Sequence, residues 1–297
     1  MKRVIRGTLV WLLAVVVTVS LAAFQRLTGP SHPLRGAVRQ GGEELRFKLP
    51  RSHGGPGGLR VELAASEAVS EATLRWRRFP TDEAWRELPM WRQGPVWVGS
   101  VPHQPPAGKV EYRILLRSDE GSRPVVVPSG EAVVARFRGG VPAPVLISHI
   151  VAMFLAMLLA TRAVLVVLTG GGPPRVTVVL TGLLLVAGGL VLGPVVQKYA
   201  FGAFWTGWPV GDDWTDTKTL VAFLAWLPPT ILAFGGRRSL GPWVLAGWVV
   251  MMGVFCIPHS SHGSELDWSR LEADRPEPAA EGPRRPRAPS SGEPCYS

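Results

Sequence analysis

The chain has 297 residues, 46% of them hydrophobic, with 32 lysines and arginines against 22 aspartates and glutamates and a formal charge of +10. That length suits about two domains, and two cysteines, Cys256 in an apolar run and Cys295 in a polar stretch, exclude a disulfide framework or a CxxC site. Basic residues between 35 and 138 are interspersed with acidic ones and carry no RNA- or DNA-binding signature, which excludes nucleic acid as a partner.

Apolar residues pool in five runs, at 8–24, 144–168, 176–196, 219–234 and 241–257. A helix crossing hydrocarbon needs about 20 mostly apolar residues, with ~17 as the short limit. The second and third runs meet this comfortably. The first and last sit at the limit, and 219–234 reaches across only with flanking residues. The pattern predicts an α-helical integral membrane protein of about five spans, with the lipid bilayer as its first partner.

Residues 1–25, "MKRVIRGTLVWLLAVVVTVSLAAFQ", pair a basic start with one apolar run. They read as a signal anchor and first transmembrane helix, or as a signal peptide cleaved at the poor site "SLAAF". Either way the next segment leaves the cytoplasm.

Residues 26–143 read as strands. In "EATLRWRR", Ala72, Leu74 and Trp76 alternate with Thr73, Arg75 and Arg77. In "KVEYRILLR", Val110, Tyr112, Ile114 and Leu116 alternate with charged residues, and "PVWVGSV" and "ELRFKL" behave alike. Period-2 runs separated by "HGGPGG" and "HQPPAG" predict an inserted all-β sandwich, apolar inside and arginine-rich outside.

Residues 144–263 hold the four remaining spans, with an aromatic loop at 197–218. Lys and Arg stay on the cytoplasmic side of short loops. "TGGGPPR" and "GGRRSLG" are the short basic connections, so the expected topology has a cytoplasmic N-terminus. The β domain, the loop and the C-terminus are then extracytoplasmic, in a multi-pass protein of the inner membrane. Two features in the spans read as structural. "GLVLG" would let helices approach closely, and Pro228-Pro229 should kink or break its helix.

Two constellations carry candidate chemistry. His149, Met153 and Met157 are spaced by four on one helical face. Met252, Cys256 and His259 are spaced by four and three, with His262, Glu265 and Asp267 just beyond. Imidazole with thioether or thiolate suits copper, and paired His or His/Met suits haem. The candidate metal ligands are therefore His149, His259, His262, Met153 and Cys256. The alternative is that Met and Cys are apolar filler and the histidines are merely hydrogen-bonded. The second constellation is the loop "QKYAFGAFWTGWPVGDDWTDTK". Its rings suit the lipid–water interface. Its charges, Lys198, Asp212, Asp213, Asp216 and Lys218, either cap the next helix, with Thr215 or Asp216 as N-cap, or fold back with Glu265 and Asp267 as a polar lid.

Residues 264–297, rich in Pro, Glu, Arg, Ala and Ser, cannot bury enough apolar surface to offset chain entropy and are expected to be a disordered polar tail. No Walker A loop, dinucleotide fingerprint or GxSxG elbow is present, and no enzyme class is assigned.

The strands in "LRWR", "AWRELPM" and "VWVGSVPHQPPAGKVEYRILL" resemble those of immunoglobulin-like and fibronectin type III domains. The segments "QRLTGPSHPLRG", "RSHGG", "PHQPPAGKVEYR", the aromatic loop and "IPHSSHGSELDW" also resemble a family of bacterial integral membrane proteins that brings no activity with it. The expected function is that of a non-catalytic envelope component, binding a partner protein or an envelope ligand through the outer β domain and aromatic loop. The alternative is a membrane redox or metal- or haem-handling protein using His149 and His259.

Overall fold

The computed structural model describes residues 2–118, 123–172, 174–236, 239–258, 263 and 266–273. The chain divides into two units, Met1–Leu266 and Asp267–Ser297.

In the first unit, helix α1 (Lys2–Thr28) leads into a β domain. Its strands are β1 (Leu34–Gln40), β2 (Glu43–Leu49), β3 (Ser52–Gly54), β4 (Leu59–Ala64), β5 (Glu71–Phe79), β6 (Arg86–Pro89), β7 (Trp91–Gln93), β8 (Val96–Val101), β9 (Lys109–Arg117), β10 (Val125–Val127) and β11 (Val133–Arg138). One sheet has the order β1-β2-β4-β8-β7, the other β3-β11-β9-β5-β6, with β10 also paired to β9. Among the described strands the pairings are antiparallel, except β3 with β11.

Alternation decides which side chains meet between the sheets. Leu74 and Trp76 of β5, Tyr112 and Ile114 of β9, and Val61 and Leu63 of β4 belong to one apolar cluster. Tyr112 is fully buried and its hydroxyl donates to the Pro50 carbonyl at 2.8 Å, so the ring brings no orphan polar group inside. Burial raises the Tyr112 phenol well above its ordinary pKa.

On the outer face the register sets charges directly opposite one another. Arg75 faces Glu87 and Arg77 faces Glu111, at 3.0 and 2.5 Å. The Trp85 ring lies under the guanidinium groups of Arg77 and Arg113, at 4.9 and 5.1 Å from its centroid.

Five helical rods follow one another in alternating direction. After α1 come α2 (Ala143–Leu168), then α3 (Arg175–Leu184), which continues through a π-helical segment (Leu185–Leu192) into α4 (Gly193–Phe201). Then come α5 (Trp214–Phe234) and α6 (Gly241–Cys256). Ile5–Thr28, Ala143–Leu168, Arg175–Phe201 and Trp214–Phe234 are long and apolar enough to cross a membrane, and α6 is a shorter apolar helix of 16 residues. Helix α2 is central, packing against α1, α3 and α6. At the end beside the β domain, Gln25 of α1 donates to the Phe255 carbonyl of α6. At the remote end, Arg6 of α1 donates to the Thr169 carbonyl after α2, and Arg175 of α3 to the Gly236 carbonyl after α5 at 2.6 Å.

Two indoles inside this bundle find their acceptors on other helices, which keeps those donors paired away from water. The buried indole of Trp226 donates to the Val178 carbonyl at 3.0 Å, and that of Trp248 to Thr161 Oγ1 at 3.1 Å. Helix α5 is continuous through Pro228 and Pro229, so of the expected kink or break the break is absent. Pro229 has no N–H to offer the Ala225 carbonyl, and α6 presses its backbone there at Gly247, where a β-carbon would come within 2.9 Å of that oxygen. The second unit contains α7 (Trp268–Ala273), started by Asp267, whose carboxylate accepts from the Ser269 amide at 3.1 Å. The rest of the expected tail lies outside the described residues.

Candidate functional site

The loop between α4 and α5 is wound back onto the first turns of α5. Gly202, in the left-handed conformation with φ +91°, ends α4. Lys198 closes on the Gly202 carbonyl at 2.7 Å and sits over the Phe204 ring. The N-cap of α5 is Asp213, where we expected Thr215 or Asp216. Its Oδ1 accepts from the amides of Thr215 at 2.7 Å and Asp216 at 3.4 Å. The apolar run starts only at Thr219, but the helix begins at Trp214 because tertiary partners exist for the polar residues in between.

Asp216 is one of them. Its Oδ2 accepts from the Thr206 amide at 2.7 Å and the Gly207 amide at 3.2 Å, pinning the loop to the helix. Gln197 of α4 donates to Thr206 Oγ1 at 2.8 Å, and the Trp208 amide donates to Thr217 Oγ1 at 2.9 Å. A β-carbon at Gly207 would fall 2.5 Å from Asp216 Cβ, so only glycine lets the loop lie this close. Lys218 reaches across to α6 and donates to the Ile257 carbonyl at 2.5 Å, a cation at a helix C-terminus. Asp213, Asp216 and Lys218 are 3%, 6% and 4% exposed, and the Asp213 carboxylate acts electrostatically on the Lys218 charge. Charge is buried here because every group is engaged.

The β domain meets the same place. The Gly139 amide, just after β11, donates to the Ala200 carbonyl of α4 at 2.9 Å. Arg136 of β11 lies over the Phe201 ring at 5.2 Å and donates to the Gly263 carbonyl, and Gly263 packs directly against Asp213. Strand β11, helix α4, the loop and the start of α5 thus converge. Sequence reasoning singled out the three charges but missed Arg136, Thr206 and Thr217. Arg136 alternates like any surface arginine of a strand, and no local signal marks its reach.

The remaining candidates are placed as follows. His149 Nδ1 lies 2.8 Å from the Gly188 carbonyl of the π-helical segment. A carbonyl only accepts, so Nδ1 is the donor in this contact. Met153, one turn on, places its sulfur beside Gly188 and Gly189, and the Thr219 methyl of α5 packs against Gly189 as well. Cys256 is an exposed free thiol at the end of α6. Asp212 is exposed, and Asp267 belongs to the second unit. His259, His262 and Glu265 lie outside the described residues. Among the described residues no group of three or more His, Cys, Asp or Glu is spaced to hold a metal ion. The structure brings Asp213, Asp216 and Lys218 together, while the His149 contact is made separately, to the third rod.

The fold defines a class of protein: helices able to cross a membrane, joined through a buried charged junction to a domain of two β-sheets. No family model, curated protein or solved structure matches the chain.

Proposed function

We propose that the protein is a non-catalytic component of the bacterial inner membrane that crosses it about five times. It holds an immunoglobulin-like sandwich outside to bind a partner protein of the envelope, and membership of the bacterial membrane-protein family it resembles is part of the same proposal. A fifth span is supported by α6, which packs beside α2 and α5 and offers the Phe255 carbonyl of its last turn to Gln25 of α1. Orientation follows the arginines Arg175, Arg237 and Arg238 of the short connections, which belong inside.

One observation carries the binding reading. The charged groups at the junction are engaged in fastening the β domain and loop to the bundle, while Tyr199, Phe204, Trp208 and Trp214 remain exposed. A rigidly seated outer domain beside a collar of aromatic rings is a surface prepared for recognition, since large rings supply most hot-spot energy. A photoreactive amino acid at Trp208, activated in intact cells, is expected to yield a protein adduct of discrete mass. Adducts to lipid alone would overturn the partner reading.

A second reading rests on His149. Its Nδ1–H is fixed by Gly188, the outer-shell arrangement that orients an imidazole ligand, and Met153 adds a soft donor one turn away. Copper or haem bound there would appear in metal analysis or visible absorption of purified protein and disappear in His149→Ala. Metal-free, colourless protein after growth with copper and haem precursors would contradict it.

A further inference from the structure

We propose that the end of the bundle remote from the β domain binds an anionic phospholipid, its phosphate beside Arg6 and one acyl chain in the groove between α1 and α2. The inference rests on the membrane-spanning reading and not on the envelope partner. The groove has a volume of about 350 Å³ and is lined by Leu9, Val10 and Leu13 of α1 and Leu165 of α2, together with Arg6 and Thr169 near the helix ends. Apolar walls beside a cationic side chain suit an amphiphile with a negative head.

Charge makes the head's sign specific. Residues 1–42, 139–211 and 218–264 contain no aspartate or glutamate. Arg6, Arg162 and Arg175 all lie towards this end, Lys2 and Arg3 fall in the first turn of α1, and Arg237 and Arg238 follow α5 in sequence. The placed arginines meet neutral acceptors: Arg6 the Thr169 carbonyl, Arg175 the Gly236 carbonyl, and Arg162 the Thr177 hydroxyl at 2.8 Å. Neutral acceptors satisfy donors but leave the charge uncompensated, and among the described residues the buried Nε atoms of Arg162 and Arg175 have no hydrogen-bond partner. Among the described residues no carboxylate pairs with these arginines, and at a membrane boundary the anion at hand is a lipid phosphate. Arg162 also stacks on Trp11 of α1 at 4.7 Å, which holds the two walls of the groove together.

The test is native mass spectrometry of the full chain, delipidated in neutral detergent and offered equal phosphatidylglycerol and phosphatidylcholine with identical acyl chains, with glycerol phosphate in a separate arm. Phosphatidylglycerol is expected to be retained preferentially, and glycerol phosphate not at all. In Arg6→Gln the preference should drop by about fivefold, the factor one basic residue contributes beside anionic lipid, and Arg6→Lys should keep most of it. Leu9→Trp, which fills the groove, should weaken retention of both lipids. Equal retention of the two lipids by the wild type, an unchanged preference in Arg6→Gln, or binding of glycerol phosphate as tight as that of the lipid would overturn the proposal. None of these outcomes bears on the adduct at Trp208, so the two readings fail separately.

Discussion

Asp216 joins two parts of the chain with one oxygen. Replacing it by alanine strands the amides of Thr206 and Gly207, at a cost of about 1–3 kcal/mol for each buried donor left unpaired. Asp216→Asn keeps an acceptor and should lose less. Asp213→Ala removes the N-cap of α5 and should cost ~0.5–2 kcal/mol. Thermal unfolding in detergent checks the order, Asp216→Ala lowest. Both carboxylates were visible in the sequence as charges beside an apolar run. Which of them caps was not, because the helix start depends on Thr206 and Thr217, partners that only the folded loop supplies. Tyr112 gives a pH-dependent case. Its folded pKa is raised by burial, so the folded state keeps a proton that the unfolded chain releases above pH ~10. Stability contributed by this group is complete below that pH and is lost as pH rises beyond it. Tyr112→Phe gives up the bond to Pro50, about 1 kcal/mol, and should flatten the alkaline limb of a stability–pH curve.

The strands were legible because a sheet with one buried face needs period-2 alternation, and β5 keeps it from Glu71 to Arg77 and β9 along its whole length. Their partners were not legible: the β3 to β11 parallel pairing and the sheet orders follow from contacts far apart in sequence. Fragment 34–138 holds the whole apolar cluster of the β domain and should fold alone, with a β-type circular dichroism spectrum and a cooperative melt. Trp76→Ala in it should cost ~3–5 kcal/mol, the usual effect of deleting a buried aromatic side chain. A helical or non-cooperative fragment would contradict the self-contained core. Among the helices, length and apolarity announced the long rods. The π-helical segment was hidden, since "LVAGGLVL" reads as any apolar helix and its irregularity shows only in the Gly188 carbonyl offered to His149.

At the scale of the molecule the two ends differ in kind. One end carries the β domain, with its arginine–glutamate ladders, fastened through Arg136 and Gly139 beside the buried Asp213, Asp216 and Lys218. The other carries arginines without a carboxylate in the adjoining segments. That asymmetry is what an oriented membrane protein needs, and it makes sidedness the central claim. Breaking the fastening, as in Arg136→Ala together with Asp216→Ala, should loosen the β domain without unfolding it, read as faster proteolysis near Gly139 with the β-domain melt unchanged.

Cysteine accessibility tests sidedness most directly. With Cys256 and Cys295 replaced by serine, Ser129→Cys probes the β domain and Gly172→Cys the connection between α2 and α3, both at exposed positions. In intact cells whose outer barrier admits the reagent, a membrane-impermeant maleimide should label the cysteine at 129. The one at 172 should be labelled only after the inner membrane is opened. Labelling of the cysteine at 172 in intact cells, or protection of the one at 129, would contradict the account.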